Sequence, residues 1–341
     1  MKITFSLFAV LISTISIFSI GCKQGQPAKT TVKQSQRVKA AVKKPHINDT
    51  LIFNDPALSA LVQKTERLFS VFDTINTNGK TYNITKFKLN KNELNDIRTS
   101  SGDSVVTDTV MGTVITGVLS FEIANNLLKI LNWKDIGNYD LTLLLKNHLG
   151  VTKSPDGKLY NFVFQEKTGG TYQSRISIIY YKPEAGRRSQ TFMTIDDDAL
   201  FNRNGYSSID TIHTRQGVKY LLMGDVIGCL TCVGFYADLV HYQKGKFVKN
   251  FNYHVGIRAD WSGDADETPV IYYDARLHYL NINYNTDDQT PACNCGKNGV
   301  VKDDGAYTTE PDEASKESVN CVYAFNGRSF VLKKRKIKAV K

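Results

Sequence analysis

The sequence predicts an α+β protein in which N-terminal helices pack on a C-terminal antiparallel β-meander. Apolar residues recur every three or four positions in residues 46–152, which is typical of amphipathic helices. From Leu159 onward the apolar period changes to two, and short turns rather than helices separate the successive runs. Such runs indicate antiparallel strands, because parallel strands need long crossover connections. We therefore expect a mainly helical region at 46–152 and an antiparallel β region at 153–337, which together can form one domain.

Three helices are predicted in the first region. Asp55 followed by Pro56 indicates a helix start, since a carboxylate caps free N–H groups and proline suits the first helical position. A second helix is expected from Ser120, and a third from Asp140 with Gly150 as its stop. Residues 99–119 are rich in Ser, Thr, Val and Gly and fit either a loop or short strands.

The second region contains eleven candidate strands. Lys167-Thr168-Gly169-Gly170 and Asn326-Gly327 are expected to be hairpin turns, because glycine and asparagine tolerate the positive φ angles that tight turns need. The strands are predicted at Leu159–Glu166, Thr171–Tyr181, Ser189–Ile195, Ser208–Thr214, Val218–Met223, Val233–Tyr242, Phe247–His254, Pro269–Asp274, Leu277–Tyr284, Asn320–Phe325 and Ser329–Lys336.

The charge distribution argues against a nucleic-acid-binding body. The chain has a formal net charge of +10, from 43 lysines and arginines against 33 acids. Seven of the bases lie at 23–44 and six at 333–341, so residues 46–332 carry a formal charge of about −4. We interpret the excess positive charge as belonging to the two termini, and a basic core for nucleic acid is excluded on that ground.

The sequence of the first 45 residues is typical of an export signal followed by a tether. Lys2 is followed by an apolar stretch to Ile20, then Gly21 and Cys22, and the pattern ends abruptly at Lys23. A short basic start, an apolar run and a small residue are typical of a secretory signal at 1–21. An uncleaved membrane anchor is the alternative, because about 18 apolar residues can just span a bilayer. Residues 22–45 have no aromatic residue and predict a flexible basic tether.

The Gly21-Cys22 junction resembles the lipobox of bacterial lipoproteins. This resemblance implies cleavage after Gly21 and acyl chains such as palmitate on Cys22, so the chain would be held to a membrane by its N-terminal lipid. The segment from Ser154 to Leu159, with Thr168-Gly169-Gly170-Thr171, is similar to a hairpin of Bacteroidota envelope lipoproteins. Together these resemblances imply a cell-envelope location, with the outer membrane favoured over the inner membrane, and they imply no particular reaction.

Five cysteines follow Cys22 and form two close groups. Cys229 and Cys232 are one pair, and Cys293 with Cys295 is another, while Cys321 stands alone. An exported chain folds in an oxidising compartment, so we predict at least one disulfide between the first pair and the group 293, 295 and 321. A zinc site built from the four paired thiols and a redox pair at 229 and 232 are the alternatives.

Other motifs favour structural explanations. Lys167-Thr168-Gly169 matches one element of the serine β-lactamase signature, but the globular part has no Ser-x-x-Lys upstream to supply a nucleophile. The acidic runs at 196–198, 260–267 and 303–304 lack the order of an EF-hand loop, so we interpret them as solvated loops. His213 near Asp210, His241 near Asp238 and His278 near Asp274 are explained equally well by chance and cross-strand packing. We predict no metal and no cofactor.

A three-residue pattern of Asp, hydroxyl and apolar residue recurs five times. It is similar to the O-glycosylation acceptor of exported Bacteroidota proteins, while helix capping and turn chemistry explain it as readily. The acceptor hydroxyls would belong to Thr50, Thr74, Ser104, Thr109 and Thr211.

Two functions remain open at this point. The first is a lipid-anchored envelope protein whose body is a non-enzymatic module that binds or assembles with an envelope protein or a glycan. The second is an envelope hydrolase whose site assembles from loops of the β region. The absence of a complete catalytic motif favours the binding module. A flat aromatic sheet face or an exposed apolar patch would favour the first function, and a deep pocket with convergent His and Asp side chains the second.

Overall fold

The described part of the chain consists of α-helices, short 3-10 helices and antiparallel sheets. The computed structural model describes residues 51, 53–101, 107–168, 172–182, 189–193, 200–227, 232–258, 270–286 and 317–339. These residues all belong to one compact unit that spans Ile47–Lys341.

Three α-helices lie in the N-terminal region: α1 at Pro56–Thr74, α2 at Lys91–Ser100 and α3 at Gly112–Leu131. The predicted start of α1 is confirmed, because the Asp55 carboxylate accepts hydrogen bonds from the N–H groups of Ala57 and Leu58 at 2.9 and 3.2 Å. Helix α3 is long and apolar enough to cross a membrane, and 56% of it is buried inside the protein. It contacts α1, α2 and a strand of the adjacent sheet and is a core helix.

The helix predictions are wrong in three respects. Helix α3 begins at Gly112, so part of the segment that fitted loop or strand is helical, and α2 was not predicted at all. The expected helix after Asp140 is a 3-10 helix at Leu141–Leu143 followed by turns: the backbone is already extended at Leu144, and Leu145 then adopts a left-handed φ of 47° that an α-helix does not contain. Two further 3-10 helices lie at Ile84–Lys86 and Ile136–Asn138.

The strands form one small pair and three four-stranded sheets. Strands β1 (Thr81–Asn83) and β2 (Thr109–Met111) pair with each other in the helical region. The first large sheet contains β3 (Gly150–Lys153), β4 (Leu159–Gln165), β5 (Arg175–Tyr181) and β6 (Gln190–Met193). The second contains β7 (Ser208–Thr214), β8 (Gly217–Ile227), β9 (Cys232–Gln243) and β10 (Lys246–Arg258). The third contains β11 (Ile271–Asp274), β12 (Tyr279–Thr286), β13 (Glu317–Phe325) and β14 (Phe330–Ala339).

Each large sheet is an antiparallel meander of four consecutive strands, and the layers stack. One hydrophobic core joins the helices to one face of the first sheet, through residues such as Leu119 and Phe162. A second core joins the other face of the first sheet to the second sheet, for example Ile179 and Tyr220. A third core joins the opposite face of the second sheet to the third. The first and second sheets are therefore covered on both sides.

The α+β class with antiparallel sheets is confirmed, but the single C-terminal meander is wrong. The described strands of that region lie in three separate sheets, not one. The physical reason is that strands such as β4 and β5 carry apolar residues on both faces, so each sheet must be covered by another layer. Both predicted hairpin turns join paired strands, β4 with β5 and β13 with β14.

Candidate functional site

The third sheet has one apolar face and one polar face. Residues directly opposite each other in an antiparallel sheet share a face, so the register assigns each side chain to one side. Ile282, Cys321 and Tyr323 lie in the core shared with the second sheet. The alternate positions carry amides, hydroxyls and lysines. We call the amides, hydroxyls and lysines of this outward side the amide–lysine face, defined as Tyr272, Tyr279, Asn281, Asn283, Ser318, Asn320, Lys334, Lys336 and Lys338. Asp274 and Val322 lie on the same side, opposite Tyr279 and Lys334 respectively.

The alternation in the sequence builds this face. In β12 the apolar residues Leu280, Ile282 and Tyr284 point to the core, and the asparagines between them point away. In β14 the period-two lysines Lys334 and Lys336 stand opposite Val322 and Asn320. A bulge beside Val322 inserts Lys333 as an extra residue, which keeps the lysine row in phase with the asparagines.

The lysine row is exposed and lacks an anionic partner among the described residues. Lys334, Lys336 and Lys338 are all exposed, and none forms an ion pair with a described carboxylate. Residues two apart on a strand lie about 7 Å from each other, so the ammonium groups stand close enough to repel. The neighbouring Lys338, with a smaller contribution from Lys334, lowers the pKa of Lys336. This face therefore holds positive charge that an anion would neutralise.

The asparagines lie deeper than the lysines. Asn281 is only 9% exposed, and Asn283 and Asn320 are half-buried. The Asn320 amide donates a hydrogen bond to the side-chain oxygen of Asn283 on the adjacent strand. Because each amide has two N–H donors and two acceptor lone pairs, this contact leaves capacity on both side chains for a ligand.

An aromatic pair lies at one end of the face. The Lys333 ammonium lies 4.7 Å from the centre of the Tyr279 ring and also donates to its hydroxyl. Tyr272 stands next to Asn281 on β11 and is 37% exposed. The two rings provide flat apolar surface beside the polar rows.

A second polar cluster is buried between the first and second sheets. We call it the Tyr206 network, and it consists of Asn161, Ser177, Tyr206, Asp238 and Lys249. The Tyr206 hydroxyl donates to the Asp238 carboxylate at 2.5 Å, and the Lys249 ammonium lies 3.0 Å from the same carboxylate. Asn161 donates to the Tyr206 carbonyl and accepts from Ser177. Burial raises the pKa of Asp238, and it also raises that of Tyr206.

The His and Asp pairs suggested by sequence spacing are not formed. The partners of Asp238 are Tyr206 and Lys249, while His241 contacts Asn250 and Gln243. His278 contacts the Tyr273 hydroxyl at 2.6 Å.

The structure instead pairs His148 with Asp73 at 2.7 Å, a contact across 75 positions of sequence that no spacing rule could find. The His148 ring stacks on Phe69. The pair joins the end of α1 to the turns before β3.

Lys167 binds the end of helix α1. Its ammonium donates to the carbonyl oxygens of Phe72 and Asp73 at 2.9 and 3.1 Å, and its backbone adopts a left-handed φ of 55°. A cation at a helix C-terminus stabilises the free carbonyl groups there. Lys167 thus has a structural role, while Gly169 of the Lys-Thr-Gly motif lies outside the described residues.

The cysteines are described only in part. Cys321 is fully buried in β13 and takes part in a disulfide. The backbone of Cys232 begins β9, but its side chain is not described, and Cys229, Cys293 and Cys295 lie outside the described residues. The predicted connection between the two cysteine groups stays a prediction.

The recurrent Asp-hydroxyl-apolar positions have a common environment where they are described. Thr74 and Thr109 are exposed and Thr211 is half-buried, and the apolar residue that follows each of them is buried. Thr74 donates to the Val71 carbonyl, which is a helix-end contact. Thr50, Ser104, Gly21, Cys22 and the acidic runs at 196–198, 260–267 and 303–304 lie outside the described residues.

Within the described ranges, no group of three His, Cys, Asp or Glu side chains is placed to hold a metal ion. No known protein family, curated protein sequence or solved structure matches this chain. The chemistry of the faces and clusters is therefore the basis for a functional proposal.

Proposed function

We propose that this chain is a lipid-anchored protein of the cell envelope whose body is a non-enzymatic binding module. The amide–lysine face is the binding surface, and its partner carries negative charge. The observation that supports this proposal is the row of Lys334, Lys336 and Lys338, which is exposed and has no described carboxylate beside it.

The electrostatics favour an anionic partner. Three ammonium groups on one strand repel one another, and the lowered pKa of Lys336 reflects that repulsion. An anion that binds across the row replaces the repulsion among the ammonium groups with attraction between them and the anion. This gain requires no rearrangement of the sheet. Residues Lys333–Lys336 lie in β14, as the predicted strand at Ser329–Lys336 implies, and the strand continues through Lys338.

Protection of the sheet edge against pairing with another chain explains only part of the arrangement of polar residues on this face. Lysines on an edge strand discourage pairing with another chain, and β14 is at the edge of its sheet. Edge protection does not require asparagines on β12 and β13, which are interior strands. The continuation of the polar rows across three strands supports a binding surface.

The general binding claim can be tested with dextran sulfate as a polyanion probe. We expect the mature full-length protein in detergent to bind immobilised dextran sulfate at low ionic strength. The triple variant with Lys334, Lys336 and Lys338 changed to Gln should lose most of this binding. The matched control changes the exposed Lys86, Lys88 and Lys91 to Gln, so both variants lose the same charge. Equal loss in the two variants would contradict a specific binding face.

The anchor is tested separately at Cys22. We expect incorporation of an alkyne fatty acid into the wild-type chain and none into Cys22→Ser, because the sulfur that would carry the acyl chain is gone. Ser35→Ala, a similar small change in the predicted tether, should label like wild type. Equal labelling of wild type and Cys22→Ser would reject the lipid anchor and leave the binding face untouched.

A further inference from the structure

We propose that the ligand of the amide–lysine face is a linear acidic polysaccharide that lies along strand β14. Its carboxylates contact the row of Lys334, Lys336 and Lys338, and its hydroxyls contact the side chains of Asn283 and Asn320. This inference rests on the proposed function and specifies the chemical class of the partner.

The arrangement of charge fits an extended chain rather than a compact ion. The three lysines span about 13 Å along the strand, at two residues per step of about 7 Å. A single small anion can contact one or two of these groups. A polymer with acidic groups at intervals can contact all three, and it gains from each contact without closing a pocket.

The asparagine amides lie deeper than the lysine ammonium groups, and this difference favours a ligand that carries hydroxyl groups. Adjacent strands are about 4.8 Å apart, so the Asn320 and Asn283 positions lie about 5 and 10 Å beside the lysine row. Both side chains are half-buried, whereas the lysines are exposed. A chain that lies against the lysines can therefore reach the amides from the side. Amide groups both donate and accept hydrogen bonds, which matches the dual character of sugar hydroxyls.

The aromatic end of the face matches the shape of a sugar ring. Tyr272 is 37% exposed and offers a flat surface, whereas one face of the Tyr279 ring is covered by the Lys333 ammonium. A pyranose ring has an apolar face of C–H groups and a rim of hydroxyls. Tyrosine offers the corresponding combination of an apolar ring and a polar tip.

A membrane surface is the main alternative source of negative charge. Phospholipid head groups at a flat bilayer would contact the exposed ammonium groups first, and the recessed amides would contribute little. Binding of a polysaccharide should depend on the asparagines and on the hydroxyls of the probe. Binding of a phospholipid surface should depend on neither.

The decisive experiment compares two polycarboxylates, matched in total carboxylate concentration, on the wild-type protein. We expect the mature full-length protein in detergent to bind polygalacturonate about tenfold more tightly than polyacrylate, which carries carboxylates but no hydroxyls. Neutral dextran should not bind measurably. Dihexanoyl phosphatidylglycerol, added as free monomer, should not displace polygalacturonate.

Variants then locate the contacts. Asn283→Ser with Asn320→Ser should weaken polygalacturonate about tenfold and leave polyacrylate within about twofold, while the triple lysine variant should weaken both. The Lys86, Lys88 and Lys91 variant is the charge-matched control. The polymer comparison needs no substitution, so it decides the question even if the asparagine variant does not fold.

The outcomes separate the two proposals. Equal affinity for polygalacturonate and polyacrylate, or displacement by the phospholipid, would overturn the polysaccharide inference and leave a general anion-binding face. Failure of every polyanion to bind, dextran sulfate included, would overturn the proposed function itself. Tighter binding of polygalacturonate that is unchanged by the lysine substitutions would place the glycan elsewhere and overturn the inference.

Discussion

The Tyr206 network and the amide–lysine face are both polar clusters on β-strands, yet their environments are opposite. In the network, Asp238 is 4% exposed and its carboxylate is bound by Tyr206 and Lys249. On the face, the lysines are exposed and lack a described carboxylate partner. A buried polar group without partners is destabilising, so the network must be satisfied for the protein to fold. The lysines of the face are exposed to solvent, so they have no such requirement.

This comparison shows that polarity alone does not mark a binding site in a β-sheet. The two clusters differ in burial and in hydrogen-bond pairing. A fully paired interior network has few free donors or acceptors for a ligand. The following predictions test that separation through stability, in order of decreasing effect.

The largest effect is expected for Asp238→Ala. Removal of the carboxylate leaves the Tyr206 hydroxyl without its acceptor and Lys249 without its ion partner, and loss of one partner of a buried pair costs about 3 kcal/mol or more. Urea unfolding followed by circular dichroism measures this loss. Asp225→Ala is the control, because its pair with Arg175 at 3.4 Å is partly exposed and should contribute less than about 1 kcal/mol. Equal losses in the two variants would contradict a structural role for the network.

Gly224→Ala should destabilise by about 1–3 kcal/mol. A Cβ atom at Gly224 would lie 2.6 Å from the Tyr236 ring and 2.7 Å from the Gly205 carbonyl oxygen, where no flexible group can yield. Gly256→Ala on β10 is the control, since nothing lies within 4 Å of its Cβ position. Thermal melting of both variants tests the packing between the first and second sheets. A larger fall in melting temperature for Gly256→Ala than for Gly224→Ala would contradict this prediction.

Alkaline pH should destabilise the folded protein by up to about 1 kcal/mol for each shielded tyrosine at pH 10.5. Burial raises the pKa of Tyr206 well above 10, and it also raises the pKa of Tyr220 and Tyr236. These groups stay protonated in the fold but ionise near pH 10 in the unfolded chain. Their stabilisation is therefore complete below pH 10 and is lost as the pH rises above it.

Ultraviolet absorbance of tyrosinate, recorded with and without urea, measures this difference directly. The native protein should show fewer ionised tyrosines than the unfolded chain at pH 10.5. Tyr206→Phe should reduce the alkaline loss of stability, since it removes one shielded hydroxyl. Identical tyrosine titration in the folded and unfolded protein would contradict the proposed shielding.

The smallest effect on stability is expected for the amide–lysine face. The triple change of Lys334, Lys336 and Lys338 to Gln should alter the free energy of unfolding by less than about 0.5 kcal/mol, or raise it slightly because repulsion is relieved. The Lys86, Lys88 and Lys91 variant should behave similarly. A large loss of stability in the first variant alone would mean that the lysines are part of the fold and not a binding surface.

Local chemistry explains why much of the secondary structure could be predicted. Asp55-Pro56 starts α1, and all eleven predicted strands have a counterpart from β4 to β14, since their apolar runs are short and bounded by turn residues. Helix α2 was missed because its apolar residues are few, and the helix after Asp140 was wrong because apolar spacing does not reveal that the backbone leaves the helical region at Leu144 and Leu145.

The sequence by itself determined the α+β class and most strand positions. Only the tertiary structure decided that the strands form three stacked sheets, that Asp238 pairs with Tyr206 rather than with a histidine, and that the lysines extend an asparagine face. The physical reason is that alternation specifies which residues of a strand share a side. What covers that side depends on contacts between residues far apart in the chain, and those contacts form only when the layers pack.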